Sequence, residues 1–243
     1  MKLIAILTPK NAKWHLASVA LLGIVISFSS CKTDNDFQAQ PVAALAVTNA
    51  SLTAKPVDFY VGPNKVNYSP LTLGATTDYV TAYPGKRNAT VSAAGSSTNL
   101  YAGTFTLEEG YYHSLYIVSK DVLNKDSLSF LTIRDDFPTP PTGKAEVRFI
   151  NLSPDATTYS LELVKDTTTF AKRPYKTFTS FKAIAPAKYT VLLKNDSDKS
   201  TVATLENVEI ASQEFYTIYA KGITNTTTAA EKLSLQASRH KLR

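Results

Sequence analysis

The chain has 243 residues, with 26 Lys or Arg against 20 Asp or Glu, one cysteine and one tryptophan. A lone cysteine excludes an intramolecular disulfide framework, and three histidines are too few for a histidine-built metal cluster. The formal charge of +6 falls to +3 (23 basic, 20 acidic) once Lys2, Lys10 and Lys13 are set aside with the leader described next, so no nucleic-acid surface is expected.

In chain order, Lys10 and Lys13 precede 13 uncharged residues from Leu16 to Phe28, and Ser29, Ser30 and Cys31 follow. Positive, apolar, then small is the order of a secretory signal. The apolar run is too short for a membrane-spanning helix, which needs ~20 residues. Phe28-Ser29-Ser30-Cys31 resembles a bacterial lipobox. Residues 1–30 are therefore expected to be a lipoprotein signal peptide that forms a helix, with Cys31 the lipidation site. Each buried CH₂ of an acyl chain contributes ~0.8 kcal/mol, so two or three chains give a durable membrane anchor. Residues 31–43 are polar, contain Pro41, and read as a tether. The expected location is the cell envelope, as a surface-exposed outer membrane lipoprotein. The stretch Lys32-Thr33-Asp34-Asn35-Asp36 resembles the acidic export signal of Bacteroidota.

The remainder repeats itself. Leu45 to Ser51 aligns with Val147 to Ser153 at an offset of 102, and Leu115-Tyr116 with Ile218-Tyr219 at 103. Leu128 to Phe130 and Arg134 align with Leu233 to Leu235 and Arg239 at 105. Two homologous domains are expected, at 44–135 and 145–240. Residues 136–144 between them hold Pro138, Pro140 and Pro141, and read as a semi-rigid linker.

About seven short β-like runs occur in each half. They lie near 44–51, 56–62, 77–82, 88–94, 100–106, 111–119 and 127–134 in the first half. In the second they lie near 145–152, 158–164, 176–184, 188–194, 200–208, 214–221 and 231–238. Val57, Phe59 and Val61 alternate with Asp58 and Tyr60, as in a strand with one buried face. Tyr111 to Val118 is apolar on both faces, which suits a central strand covered on both sides. Tyr83-Pro84-Gly85 and Asn195-Asp196-Ser197-Asp198 are turn signals. Thr228 to Leu233 admits a helical turn, but its alignment with the first half favours strand. The fold class expected is all-β, two tandem immunoglobulin-like antiparallel β-sandwich domains.

Val147-Arg148-Phe149-Ile150-Asn151-Leu152-Ser153-Pro154-Asp155-Ala156 resembles the opening motif of a bacterial family, domain of unknown function 4397. Val57-Asp58-Phe59-Tyr60-Val61 and Ala187-Lys188-Tyr189-Thr190-Val191 resemble two of its later strands. The resemblance implies tandem β-sandwiches in cell-envelope lipoproteins and carries no established activity. Asn151 and Asp155 have a sufficient role in the turn, where short polar side chains bond nearby backbone N–H groups.

No catalytic constellation emerges. His113 falls in a strand that reads as core, and His240 in a basic tail that reads as solvated. Glu108-Glu109 and Asp135-Asp136 are adjacent pairs at turns or the linker, where charges are solvated, and adjacent strand residues face opposite ways. The loop at 195–199 lacks the glycine and distal glutamate of a calcium site. No enzyme activity, cofactor or metal is expected. Tyrosines are the binding candidates: Tyr60, Tyr79, Tyr83 and Tyr101 can stack on sugar rings. Two roles follow. The first is a lipid-anchored structural or interaction module that meets envelope proteins. The second is a surface glycan-binding accessory protein for polysaccharide capture.

Overall fold

The computed structural model describes residues 40–242, apart from 54, 156, 166 and 167. The signal segment, Cys31 and nearly all of the tether lie outside the described residues.

The first half contains β1 (Ala43–Ala50), β2 (Val57–Val61), β3 (Asn64–Lys65), β4 (Val80–Ala82), β5 (Gly85–Ala93), β6 (Asn99–Leu107), β7 (Tyr112–Ser119) and β8 (Leu128–Asp135). The second contains β9 (Ala145–Asn151), β10 (Tyr159–Leu163), β11 (Thr168–Arg173), β12 (Thr177–Phe178), β13 (Lys182–Ile184), β14 (Ala187–Asn195), β15 (Thr201–Ile210), β16 (Phe215–Lys221) and β17 (Ser234–His240). Each half is a sandwich of two sheets. Sheet orders are β4-β1-β7-β8 and β3-β2-β5-β6 in the first, β12-β9-β16-β17 and β11-β10-β14-β15 in the second.

The all-β expectation holds, with three corrections. Pairing is antiparallel except for β1 with β7 and β9 with β16, which are parallel. Two strands were not anticipated, β3 and β11, and the run expected at 176–184 divides into β12 and β13. Residues Ala229–Glu231 form a 3-10 turn, so the last strand begins only at Ser234.

Strand alternation builds the cores. In the first half Leu45, Val47, Phe59, Val91, Leu115 and Ile117 meet between the two sheets. Val147, Phe149, Leu161, Val191 and Ile218 do so in the second. The opposite faces of β1, β7, β9 and β16 are also covered, because the two halves pack against each other through those sheets. Ala50, Tyr116, Val118, Ile133, Ile150, Leu152 and Tyr219 form that third cluster. Burial of each large apolar side chain stabilises by ~1.5–3 kcal/mol. The result is four stacked sheets with the parallel pairs inside, which is why the central strands are buried on both faces.

Further contacts tie the halves. The Tyr219 hydroxyl and Gln236 Nε2 both donate to the Gly74 carbonyl, at 2.8 and 2.9 Å. A Cβ at Gly74 would lie 2.2 Å from Gln236 Oε1, and its φ of 91° suits only glycine. The Tyr175 hydroxyl donates to the Ser119 carbonyl, and Lys125 pairs with Glu231. The proline-rich segment does not hold the halves apart. Its Phe137 sits 4.7 Å from Phe215 and 5.5 Å from Phe181, centroid to centroid.

The repeated Asn-x-Ser motif does the same work twice. Asn49 Oδ1 accepts from the Ser51 N–H at 3.0 Å, and Asn151 Oδ1 from the Ser153 N–H at 3.0 Å. Their amides donate across to the Leu71 and Arg173 carbonyls, at 2.8 and 2.9 Å. Asp155 accepts from the Thr224 N–H at 2.7 Å. These polar residues close turns.

Candidate functional site

Two places gather polar chemistry, one sealed between the halves and one open on the surface. The sealed one holds the histidine and aspartate that the sequence had suggested were solvated. Asp135 is 3% exposed and His240 is 7% exposed. Arg148 Nη2 donates to Asp135 Oδ1 at 2.5 Å, and Arg148 Nε to Thr217 Oγ1 at 2.8 Å. Thr217 Oγ1 stands 2.7 Å from His240 Nε2, His240 Nδ1 stands 2.8 Å from the Tyr79 hydroxyl, and that hydroxyl donates to Asp135 Oδ2 at 2.7 Å. Every proton in this ring finds an acceptor if Thr217 donates to His240 and His240, neutral, donates to Tyr79. Ser114 Oγ also donates to Asp135 Oδ2, at 2.8 Å.

Burial, reinforced by the Arg148 charge, lowers the His240 pKa to about 4. Burial opposes the Arg148 charge, but the charge and hydrogen bond of Asp135, with Tyr116 and Tyr79, together raise the guanidinium pKa. Burial and the Asp135 charge raise the Tyr79 pKa. The space enclosed is about 20 Å³, the size of one water and too small for a substrate. The constellation therefore locks the two halves together.

The open site lies on the first half, where the edge strands β3 and β4 fail to meet. It is a groove of about 620 Å³, within the range of small-ligand sites. Leu45, Val61, Val66 and Val80 form its floor, at the margin of the core. One rim is the Tyr83-Pro84-Gly85 turn, which carries the chain from one sheet to the other. Proline pre-sets the first turn position and Gly85, with φ 90°, takes the next. Arg87 Nε donates to the Tyr83 carbonyl at 2.9 Å, and Nη2 donates to the Pro84 carbonyl. This latch holds the Tyr83 ring 61% exposed.

The other rim is the loop after β3. Asn67 is buried and pins that loop: it accepts from the Phe59 N–H at 2.8 Å and donates to Asp58 Oδ1 at 2.9 Å. Lys65 Nζ lies 2.8 Å from Asp58 Oδ1. Burial pushes the Asp58 carboxyl up, but hydrogen bonds from Lys65, Asn67 and Gly95 outweigh it and hold its pKa below the ordinary value. With Asn67 anchored, the neighbouring Tyr68 stands fully exposed.

The second half is paired differently at the matching place. Phe59 and Leu161 correspond at the repeat offset. The Phe59 carbonyl takes the Val66 N–H, whereas Leu161 pairs with Phe170 of β11. Phe170 is buried in the second core, so a ring fills what a valine leaves open.

The four tyrosines named from the sequence do not converge. Only Tyr83 lines the groove. Tyr79 is 5% exposed inside the sealed ring and reaches no surface ligand. Tyr101 packs edge-on against Phe130 at 4.9 Å. Tyr60 lies on the outer sheet face opposite Lys65 and Thr90. Tyr68 was missed, since Asn67-Tyr68-Ser69-Pro70 reads as plain loop. Among the described residues no three His, Cys, Asp or Glu side chains gather as a metal site. Asp196 of the 195–199 loop is held by Lys172 and Lys199.

Fold and sites together define a tandem β-sandwich protein with a sealed polar lock and an aromatic-rimmed groove on its first half. Residues 43–162 match the family described as Domain of unknown function (DUF4397). No curated protein matches the chain. Among solved structures, the C-terminal domain of AlgF from P. aeruginosa is 24% identical over 40% of this chain and 99% of its own, with TM-score 0.30. A family CBM26 protein, CBMbc of Eubacterium rectale Amy13K, solved with maltoheptaose, is 11% identical over 82% of this chain and 97% of its own, with TM-score 0.27. Putative polysaccharide binding proteins (DUF1812) from Bacteroides thetaiotaomicron are 9% identical over 82% and 98%, with TM-score 0.22. At these TM-scores the likenesses support no statement about ligand.

Proposed function

We propose that this chain is a non-enzymatic binding protein of the cell envelope, lipid-anchored through Cys31, whose first sandwich captures glycan in the groove beside Tyr83. The observation that carries the reading is the groove itself. It joins a rigidly held, exposed tyrosine ring to amide and cationic donors over an apolar floor. Sugars present apolar ring faces and polar rims, and such a surface answers both. A purely spacing role is the weaker reading, because the halves pack face to face instead of extending the chain. The reading has no catalytic step: the His, Asp and Thr that come together are sealed from solvent.

A glycan array probed with the full chain in detergent tests the capture. Binding is expected, and Tyr83→Ala should weaken it by roughly tenfold, the loss of ~1.4 kcal/mol that one stacking ring supplies. Binding to no glycan would remove the proposal. Metabolic labelling with a palmitate analogue tests the anchor. Label is expected on the native chain and absent from Cys31→Ser; label retained on the variant would contradict it.

A further inference from the structure

The groove has a charge bias that its tyrosines do not explain. Among the residues that line it are three cations, Lys65, Lys86 and Arg87, and no carboxylate. Lys65 is neutralised from behind by Asp58, whose side chain is 5% exposed. Lys86 and Arg87 have no ion-pair partner among the described residues. Arg87 spends Nε and Nη2 on the carbonyls of the turn, so its charge is fixed in place beside the Tyr83 ring, 6.0 Å from its centroid. Asn64 and Asn88 add amides that can bond hydroxyl or carboxylate oxygens. Some surface cations meet acids, as Arg134 meets Glu108 and Asp136, but no carboxylate lines the groove to do so for Lys86 or Arg87.

Resting on the glycan reading above, we infer that the ligand is an anionic glycan, an oligosaccharide whose acidic groups meet Lys86 and Arg87 while one ring lies against Tyr83. A cationic groove with low-dielectric walls concentrates anionic ligands and discriminates against neutral ones. The shared chemistry is negative charge on a sugar chain, and uronate carboxylates and sulfate esters both supply it.

Titration calorimetry on the full chain in detergent tests this with four probes of matched length. They are an oligogalacturonate, a sulfated gluco-oligosaccharide, a neutral malto-oligosaccharide and an oligoglutamate peptide. One or both acidic glycans should bind, and which one does identifies the acid. Affinity should fall steeply towards about 0.5 M salt, where the screening length shrinks to a few ångströms. Lys86→Glu and Asn88→Asp, both at exposed positions, should each weaken acidic-glycan binding by roughly tenfold or more. Circular dichroism checks that both variants keep the fold. Equal binding of the neutral glycan, unmoved by Lys86→Glu, would overturn the anionic assignment and leave the groove reading standing. Oligoglutamate binding as tightly as the acidic glycans would show attraction to charge alone and overturn it too. Binding to none of the four would sink both readings.

Discussion

Arg148 and Asp135 are 2% and 3% exposed, and among the described residues each is the other's only ion-pair partner. An ion pair this deep owes little net stability to its attraction, but losing one partner strands the other. Arg148→Met should therefore cost ~3–5 kcal/mol, read as a lower denaturant midpoint. Adding Asp135→Leu should recover most of that loss, because no charge is then left buried. His240 gives a second test. Its pKa in the folded chain is about 4, against 6.5 for a free imidazole. As pH falls below about 6.5 the unfolded chain takes up this proton and the folded one does not. Stability is thus complete above that value and declines between pH 6.5 and 4. The loss approaches about 3 kcal/mol at the acid end. Groups facing His240 include Arg148, Asp135 and Tyr79, and the Arg148 charge deepens the effect while Asp135 opposes it. Melting temperatures across that range should fall for the native chain and fall less for His240→Gln.

At the scale of elements, the groove is a consequence of a short edge. β3 has two residues where β11 has six, and Val66 stands where Phe170 fills the other sandwich. Val66→Phe should close the groove, abolishing glycan binding with little change in melting temperature; undiminished binding would place the site elsewhere. Neither edge strand was readable beforehand. β11 is Thr-Thr-Phe-Ala-Lys-Arg, polar apart from Phe170 and Ala171, because an edge strand covers nothing on one side. Central strands were legible for the opposite reason. β5 and β14 alternate cleanly, and β7 is apolar on both faces from Leu115 to Val118. Tyr68 escaped notice because its exposure depends on Asn67 reaching back to β2, a contact eight to nine residues away in sequence.

At the scale of the molecule, the two sandwiches share a buried face and act as one body. The apolar cluster around Tyr116 and Tyr219, the hydrogen-bonded ring and the Gly74 clasp all join residues of different halves. Calorimetry should show a single unfolding transition for residues 40–242. A fragment ending at residue 143 should aggregate, since Tyr116, Val118 and Ile133 would face water. Two separated transitions would show that the halves are energetically independent.

The repeat offset, the strand positions and the Asn-x-Ser turns were set by local pattern, because alternation and turn chemistry act over a few residues. The sequence also showed that β7 must be covered twice, though not by what. Three things waited on tertiary structure: that the second half supplies that cover, that Asp135 and His240 go inside, and that Tyr83 rather than Tyr79 meets solvent. Each depends on partners 13 to 161 residues distant. Burial and pairing at that range are decided by how whole sheets stack, which no short window of residues encodes.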